Sequence, residues 1–392
     1  MPRRSLLARA LRPRRAEPLR VVLPSGLAEA LRNGPVELRG DASGLADAPS
    51  LHVAVVVPSF RRGSGGHATI ANLLRGVEAA GHRCEVWILD DEGRHAQDAD
   101  VDMLFREFFG PLRGRVREDF TAWAGADVAL ATGWQTVPQV LRLAGVGARA
   151  YLVQDHEPEF YPTSAERAWA SWTYDQGLHC IAASPWLAEL LRERHGARAT
   201  HFDLGIDHDS YRPTGVPRRD DLVAFYARAV TPRRAVPLGL LALQELHRRR
   251  PHVEIALFGD AQPIAAPFPH RHLGVVEPAG LARVYGEATV GLVLSLTNPS
   301  LIPQEMLACG LPCVDVASES MLACYGADGP VTLATPDPLA LCAAIERLLD
   351  DPALREERAS AGLRWAEGRT WPRAAAQVED GLRTALRAAA AR

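Results

Sequence analysis

Between residues 51 and 350 the chain alternates apolar runs of strand length with amphipathic segments of helix length. The first run, "LHVAVVVP" at 51–58, is almost continuously apolar, as expected of a strand buried on both faces of a parallel sheet. Runs such as "RCEVWILD", "ADVALATG" and "RAYLVQD" follow, with helical patterns between them. This regular alternation predicts an α/β fold built on parallel sheets.

The alternation stops at the polar, proline-containing stretch "DHDSYRPTGVPRRDD" and restarts at "LVAFYAR", which indicates two domains. A chain of 392 residues is also too long for one ordinary core. Two such sheets side by side place a deep cleft at the carboxyl ends of their strands. We predict an irregular basic extension at 1–49 with one helix near 26–32, Rossmann-like domains at 50–210 and 222–368, a linker at 211–221, and a helix at 369–392 that packs back on the first domain.

Composition limits the classes of ligand. Hydrophobic residues make up 47% and charged residues 23% of the chain, as in ordinary globular proteins. The net charge of −3 argues against nucleic acid as a partner. All 44 basic residues are Arg, so any phosphate site must use the planar guanidinium fork. No apolar run reaches the ~18 residues that a membrane-spanning helix needs.

Cysteine usage and the N-terminus bear on location. The six cysteines are scattered, without paired CxxC motifs, and their apolar neighbours predict buried free thiols in a reducing compartment rather than a zinc site. The start, "MPRRSLLARALRPRRAEPLR", is basic but lacks a signal-peptide core. It is interpreted as a disordered arm or as a contact with an anionic membrane surface. We therefore expect a cytoplasmic protein, with peripheral contact at the inner membrane face as an option.

The loop "SFRRGSGGHA" joins the first strand to a helix and is rich in glycine. Gly65 and Gly66 allow backbone N–H groups at the helix start to approach an anion. The spacing does not match G-x-G-x-x-G, although Asp90 ends the next strand where a dinucleotide site would need an acid. A dinucleotide site and a plain tight turn both remain open alternatives.

Three acidic pairs, "DAD" at 98–100, "DVD" at 100–102 and "DHD" at 207–209, could hold a hard cation with a nucleotide. The first two lie in a polar stretch without a preceding buried strand, and the third lies near the linker. We interpret all three as solvated loops and predict no metal site.

The segment "YLVQDHEPEFYP" at 151–162 places Gln154, Asp155, His156 and Glu157 directly after a buried strand. Polar groups at that end of a parallel strand face the cleft. A histidine beside carboxylates is a candidate proton acceptor, so Asp155 and His156 are predicted to be catalytic. The alternative is a solvated loop packed by its aromatic residues.

The segment "FYARAVTPRRAVPLGL" has the same strand–loop–helix order in the second half. Arg228 ends the strand, and Arg233 and Arg234 precede the helix. Guanidinium groups beside a helix N-terminus form an anion clamp suited to a diphosphate. A basic solvated loop is the alternative.

The stretch "SLTNPSLIPQEMLACGLP" at 295–312 contains one acid, Glu305, in an otherwise apolar helical turn. A carboxylate accepts two hydrogen bonds at once and so suits a vicinal diol. A carboxylate near a helix N-terminus is also favoured by the helix dipole alone, so both interpretations stay open here.

These motifs together resemble the GT-B retaining glycosyltransferases of family four. That family has a strand ending in Arg followed by an "RKG"-like turn, matched here by Arg228 and "PRRAV". It has a "GVD" motif before the linker, matched by "LGIDHDSYRP", and two Glu separated by seven residues before "MACG.P". Glu305 matches the second Glu, whereas Thr297 departs from the first. With "QDHEPEFYP", the set looks like a subgroup of bacterial rhamnosyltransferases, over about residues 50–385.

The resemblance implies retaining transfer of a sugar, rhamnose from dTDP-rhamnose, to a glycan or lipid-linked saccharide in cell-surface polysaccharide synthesis. It implies that Glu305 accepts from the ribose hydroxyls, that Arg228 and Arg234 neutralise the leaving diphosphate, and that no cofactor or metal is needed. A sugar-nucleotide epimerase or phosphorylase of the same fold, or a non-catalytic binding module, are the alternatives. The implied donor-binding residues are Gly65, Gly66, Arg228, Arg233, Arg234, Val276, Asn298, Ser300, Leu301 and Glu305.

Overall fold

The computed structural model describes residues 22–98 and 100–391. Its first sheet is formed by seven parallel strands: β1 (His52–Pro58), β2 (Arg83–Leu89), β3 (Val116–Arg117), β4 (Ala126–Ala131), β5 (Val146–Val153), β6 (His179–Ala182) and β7 (Ala199–His201). Their spatial order is β3-β2-β1-β4-β5-β6-β7.

The second sheet is formed by six parallel strands: β8 (Leu222–Tyr226), β9 (Glu254–Phe258), β10 (Arg271–His272), β11 (Val290–Leu292), β12 (Cys313–Val316) and β13 (Thr332–Ala334). Their spatial order is β10-β9-β8-β11-β12-β13. The predicted α/β architecture with two Rossmann-like domains is confirmed.

Helices flank both sheets. Those of the first half are α1 (Leu27–Asn33), α2 (Ala42–Leu45), α3 (Gly65–Ala79), α4 (Val101–Phe109), α5 (Val137–Arg142), α6 (Ala165–Tyr174) and α7 (Pro185–His195). Those of the second half are α8 (Val236–Arg249), α9 (Pro278–Glu287), α10 (Leu301–Ala308), α11 (Glu319–Tyr325), α12 (Pro338–Asp350), α13 (Pro352–Glu367) and α14 (Trp371–Ala390). Short 3-10 turns occur at Phe120–Ala122, Trp134–Thr136, Glu157–Phe160 and Pro232–Arg234.

The apolar runs form strands because both of their faces are covered. In β1 the five residues from Val53 to Val57 are inaccessible to solvent. Alternate residues of this strand enter two different core clusters, one on each face of the sheet. Burial of this extent is the main favourable contribution to folding, at roughly 25 cal/mol per Å² of apolar surface.

The segment 22–49 is more ordered than an irregular extension. Helix α1 lies where a helix was predicted, and α2 is a further short one. The chain between them is bound to the first domain, because the Val36 N–H donates to Leu141 O at 2.9 Å and the Arg39 N–H to Val146 O at 2.8 Å. Most of the basic arm lies in residues 1–21, outside the described residues, so its membrane contact stays a prediction.

The polar stretch around the acidic pairs at 98–102 was interpreted as a solvated loop, and this is wrong for 101–109, which form α4. The acids of that region have local structural roles. Asp100 caps α4 by accepting from the Met103 N–H at 2.9 Å, and Asp102 pairs with Arg106 at 2.8 Å. Asp207, in the third acidic pair, accepts from the Asp209 N–H at 3.1 Å, as in an Asx turn. Within the described ranges, no group of three or more metal-ligating side chains is found.

The last helix, α14, packs on the first domain, chiefly against α3, α2 and β5. The chain crosses between the domains where Ile206 forms a parallel bridge with Thr370. Gly76 permits the close approach of α3 and α14, since a Cβ there would lie 2.3 Å from the Ala375 Cβ. The C-terminus therefore ties the second half of the chain back to the first.

Two further features concern the cysteines and the helices. All six cysteines are free thiols, and five of them are buried. Across the described parts of the chain, no helix combines the length and the apolar character needed to cross a bilayer.

Candidate functional site

The two domains meet where the loop after β11 contacts the carboxyl end of β5. The Thr297 hydroxyl donates to Asp155 Oδ2 at 2.8 Å, and the Asn298 N–H donates to Asp155 Oδ1 at 3.0 Å. The Asn298 amide donates to Gln154 O at 3.0 Å and to Ala183 O at 3.1 Å, and its oxygen accepts from the Ser184 hydroxyl at 3.0 Å. We call the set Asp155, Ser184, Thr297 and Asn298 the interdomain seam.

Both sequence-predicted residues in the seam have their polar atoms occupied. Asn298 is 1% exposed, and both of its amide hydrogens are donated to carbonyls of the first domain. Its side chain therefore holds the domains together in this structure, and the contact with the donor that was assigned to Asn298 stays a prediction. The predicted neighbour Leu301 begins α10, three residues beyond the seam.

Asp155 was predicted to be catalytic, and the structure surrounds it with three hydrogen-bond donors and one ion-pair partner. The donors are the Thr297 hydroxyl, the Asn298 N–H, and the His156 N–H at 2.9 Å. Arg233 Nε lies 3.1 Å from Oδ2 as an ion pair without hydrogen-bond geometry. The carboxylate is thus engaged by protein groups of both domains, and its role as a proton acceptor stays a prediction.

His156 was also predicted to be catalytic, and its ring is occupied elsewhere. Nδ1 lies 3.2 Å from Glu159 Oε1, Nε2 lies 3.1 Å from His195 Nε2, and the ring stacks on Tyr174. Among the described residues, every hydrogen-bonding or stacking contact of the ring lies within the first domain. The structure therefore brings Asp155, but not the His156 ring, to the basic residues of the second domain.

Those basic residues lie on the 3-10 turn Pro232–Arg234, which we call the basic turn. The turn leads into α8 through Ala235, whose φ of 42° is left-handed. It is the one non-glycine residue with positive φ in the part of the chain that the structure describes. Backbone strain of this kind is concentrated at functional sites. The guanidinium of Arg233 stacks over Phe160 of the first domain at 4.0 Å.

Arg234 is buried with little compensation. It is 6% exposed, and Nη1 donates to the Ser295 hydroxyl at 3.2 Å. No described carboxylate lies within ion-pair distance of it. Burial lowers the pKa of Arg234, and the neighbouring charge of Arg233 lowers it further. A buried guanidinium without a counter-ion is costly, and an anionic ligand would offset that cost.

The N-cap and the second turn of α10 supply two buried polar atoms that have no partner among the described residues. Ser300 is the N-cap, and its hydroxyl has no hydrogen-bond partner among the described residues. Glu305 is 8% exposed and its Oε2 also lacks a partner. Burial raises the pKa of Glu305 to about 8, against a lowering hydrogen-bond contribution from Tyr211. We call Arg234, Ser300 and Glu305 the unpartnered group.

Tyr226, which the sequence did not single out, links the predicted residues. Burial raises the pKa of its hydroxyl, the charges of Arg228 and Arg234 lower it, and the charge of Glu305 raises it. All three predicted residues therefore lie within electrostatic reach of one hydroxyl. Arg228 itself donates to Gly259 O at 3.3 Å. The partly buried Val276 packs against the same apolar cluster as Tyr226.

The glycine-rich loop of the first domain borders the seam. Gln154 Nε2 donates to Gly66 O at 3.2 Å, and Gln154 O accepts from Asn298. A Cβ at Gly66 would meet the Gln154 side chain at 3.5 Å, and a Cβ at Gly65 would meet nothing within 4 Å. Gln154 therefore links the glycine-rich loop to the contact between the domains.

Sequence reasoning missed a supporting acid, Asp315. It is fully buried in β12, and its Oδ1 accepts from the N–H groups of Ser295 and Val316 at 2.7 Å each. Burial raises its pKa to about 7. Asp315 holds the backbone of Ser295, and the Ser295 hydroxyl accepts from Arg234, so Asp315 supports the position of Arg234. The signal was present, since an acid inside the apolar strand "PCVDVA" needs an explanation.

Comparisons with known proteins place the chain beside proteins of polysaccharide synthesis and sugar transfer. Residues 221–346 match the family model "WsaF, C-terminal domain". The chain is 31% identical over 273 residues to the O-antigen biosynthesis protein RfbC of Myxococcus xanthus. That match covers 68% of this chain, which spans 21% of the relative's length.

Two solved structures are similar throughout. Sucrose-phosphate synthase from Thermosynechococcus elongatus superposes with a TM-score of 0.65 at 16% identity, covering 86% of this chain and 99% of that one. Anabaena HepE in complex with UDP-glucose superposes with a TM-score of 0.63 at 14% identity, covering 86% of this chain and 100% of that one. Similarity at this level establishes the fold, so the predicted GT-B architecture is confirmed.

Proposed function

We propose that this chain is a glycosyltransferase of cell-surface polysaccharide synthesis that uses a nucleotide-sugar donor. Support comes from the O-antigen relative, from the WsaF match over the second domain, and from the UDP-glucose complex of HepE. The observation that carries the proposal is the unpartnered group. Arg234 and Glu305 are buried, as is the hydroxyl of the half-buried Ser300, and all three have unmet hydrogen-bonding capacity. The charges of Arg228, Arg234 and Glu305 all act on the Tyr226 hydroxyl.

In this proposal each predicted residue meets a different part of the donor. The diphosphate is held by the basic turn, Arg228 and the N-terminal end of α10, where the helix dipole favours an anion. Glu305 accepts from the sugar of the nucleoside through a carboxylate whose Oε2 is unused. The deoxyribose of a dTDP donor offers its 3′-hydroxyl, and the ribose of a UDP donor offers the 2′- and 3′-hydroxyls. Ser300 supplies a hydroxyl and the preceding loop supplies backbone N–H groups.

The proposed reaction transfers a rhamnosyl group from dTDP-rhamnose with retention, as in family-four enzymes. The bond between C1 of the sugar and the phosphate oxygen breaks, and the diphosphate leaves with the electron pair. A bond forms between C1 and the acceptor hydroxyl, whose proton passes to the leaving phosphate. Arg228 and Arg234 stabilise the charge that develops on the diphosphate, so neither a metal nor a protein base is needed.

The acceptor is proposed to be a glycan or lipid-linked saccharide that approaches from the first domain. A basic arm within residues 1–21 would suit an acceptor at a membrane surface, since anionic lipids attract clusters of Arg.

Incubation with a panel of labelled nucleotide sugars tests the proposal, with dTDP-rhamnose and UDP-glucose side by side and EDTA in a parallel set. We expect release of nucleoside diphosphate, undiminished by EDTA, with dTDP-rhamnose as the preferred donor. The anomeric configuration of the product, read by NMR, tests retention. Binding of nucleotides without turnover on any acceptor would favour a non-catalytic module.

A further inference from the structure

Arg233 is held on two sides by the first domain although it belongs to the second. Its Nε lies 3.1 Å from Asp155 Oδ2, and its Cζ lies 4.0 Å above the ring of Phe160. The side chain remains 28% exposed. No hydrogen bond joins its two terminal nitrogens to any residue that the structure describes. One edge of the guanidinium is therefore fixed, one face is stacked, and the other edge is open.

That open edge lies in the neighbourhood of the unpartnered group. Arg233 directly precedes the buried Arg234 on the basic turn, and its charge disfavours the charge of Arg234. Among the described residues, these two neighbouring cations share one close carboxylate, Asp155, and so form an incomplete diphosphate site. The planar fork of Arg binds phosphate through two parallel hydrogen bonds only when its orientation is fixed.

Asp155 can fix that orientation because it is itself immobile. Its hydrogen-bond donors come from both domains, the His156 N–H from the first and Thr297 and Asn298 from the second, and Arg233 of the second domain adds an ion pair. The contact with Arg233 therefore exists only when the domains are closed on each other. Closure of the domains at the seam therefore also orients the guanidinium of Arg233.

The departure at position 297 fits this arrangement. The resemblance would place Glu there, and a carboxylate at 297 would stand against the carboxylate of Asp155. Thr297 instead donates its hydroxyl to Asp155 at 2.8 Å. Thr297 and Asp155 are thus a matched pair across the seam.

We infer that Asp155 is a positioning residue of the donor site, which orients Arg233 on the diphosphate when the domains close. It holds the Nε edge while Phe160 supports the face, so the terminal nitrogens point to the ligand. This inference deepens the proposed function and rests on it, and it assigns Asp155 a role other than proton transfer.

The substitution D155N isolates this role, because the amide oxygen still accepts from the His156 and Asn298 N–H groups and the amide nitrogen can donate to the Thr297 oxygen. Only the contact with Arg233 is lost, since two N–H donors would face each other. The cycle consists of wild type, D155N, R233M and the double variant. Calorimetry measures the dissociation constants of inorganic pyrophosphate and of thymidine, and the rate of sugar transfer is measured separately.

We expect D155N to weaken pyrophosphate binding and slow transfer by about tenfold, as for loss of the charged partner that orients the guanidinium. In the R233M background the same substitution should change either quantity less than twofold, and thymidine affinity should stay constant throughout. Losses that multiply in the double variant would mean that Asp155 acts independently of Arg233, and would overturn the inference. Parallel weakening of thymidine binding would also overturn it, because the whole seam would then have collapsed.

F160L provides a second route should D155N fail to fold, since it removes the stacking surface and leaves Asp155 in place. It should weaken pyrophosphate binding severalfold in wild type and not in R233M; an equal loss in both backgrounds overturns the inference. Wild type that binds pyrophosphate with this coupling, but transfers no sugar, would refute the proposed function and leave the inference standing. Wild type that binds no pyrophosphate overturns the inference itself.

Discussion

The interdomain seam and the unpartnered group lie side by side and treat buried polar atoms in opposite ways. In the seam, Asp155 and Asn298 are almost inaccessible and their side chains are paired with donors and acceptors of the protein. In the unpartnered group, Arg234 has one hydroxyl acceptor, and Ser300 Oγ and Glu305 Oε2 have none among the described residues.

This difference separates a structural contact from a binding site. A buried polar group that is hydrogen-bonded contributes modestly to stability, whereas one without a partner costs about 1–3 kcal/mol. Folding accepts such a cost where a ligand later meets the requirement. We therefore expect substitution of Asn298 in the seam to lower stability, and substitutions in the unpartnered group to lower function; Asp155 also contacts Arg233, so it belongs to both kinds of region.

The largest effect is expected for Arg234→Met. The rate of transfer should fall by about 10²–10³-fold, since the leaving diphosphate loses a buried cation. The free energy of unfolding should rise by about 1 kcal/mol, because an uncompensated charge has been removed from the interior. Kinetics and denaturant unfolding measure the two changes. Arg283→Met, at a 74% exposed side chain on α9, is the control and should alter neither. A destabilised R234M protein would contradict the comparison.

Asn298→Ala should have the opposite profile. It removes three side-chain hydrogen bonds and leaves two carbonyls of the first domain without donors, so the free energy of unfolding should fall by about 2–4 kcal/mol. Urea unfolding measures this loss. The matched control is Asn72→Ala, since Asn72 pairs with Arg75 within α3. Equal stability of the two variants would show that the seam is not what joins the domains.

Glu305 should give nucleoside binding a pH dependence. Its pKa of about 8 means that the carboxyl is mostly neutral at pH 7, whereas the ribose hydroxyls bind best to the carboxylate. Affinity for thymidine or uridine should therefore rise about tenfold per pH unit up to pH 8 and then level off. Calorimetry with the nucleosides avoids the titration of phosphate. Glu305→Gln should bind more weakly and with a flat pH profile; a flat profile in wild type would exclude the ribose role.

The same shift affects stability. The pKa of Glu305 in the folded protein lies above its ordinary value of 4.5, so the folded state favours the neutral form. The resulting contribution to stability is complete below pH 4.5 and is lost as the pH rises to about 8. Burial also raises the pKa values of two other buried carboxyls, Glu157 and Asp315. The free energy of unfolding of wild type minus that of E305Q, measured across the pH range, isolates the contribution of Glu305.

The smallest effect concerns the entry to α8. Ala235 has a φ of 42°, and a left-handed conformation costs a residue with a Cβ about 1 kcal/mol. Ala235→Gly should therefore leave the protein as stable or up to about 1 kcal/mol more stable, without changing transfer. Thermal unfolding measures it. Ala343→Gly, at an exposed interior position of α12, should instead cost about 1 kcal/mol. Equal losses would mean that the turn is not strained.

The sequence predicted the fold well because the signals were local. Apolar strands such as β1 and the helices between them follow from periodicity alone, and the break near 207–221 separated the two sheets. Helix α4 was missed because its acids suggested a polar loop, although Asp100 and Asp102 are a cap and an ion-pair partner of that helix. Short edge strands such as β3, with two residues, leave too little pattern to detect.

The site was predictable in its members but not in their roles. Strand ends and motifs predicted Arg228, Arg234 and Glu305. In the structure the charges of these three residues all act on the Tyr226 hydroxyl. Which polar atoms are already paired depends on contacts between residues about 140 positions apart, such as Thr297 with Asp155. No local pattern carries that information, so Asp155 and Asn298 were assigned to substrate although their side chains pair with the protein.

The most direct test of the unpartnered group is a crystal structure of the chain with thymidine diphosphate. The account predicts phosphate oxygens within hydrogen-bonding distance of Arg234 and Ser300, the 3′-hydroxyl of the deoxyribose on Glu305, and an unchanged pairing of Asn298 with the first domain. A nucleotide bound away from these three residues, or bound only after Asn298 has left its partners, would contradict it.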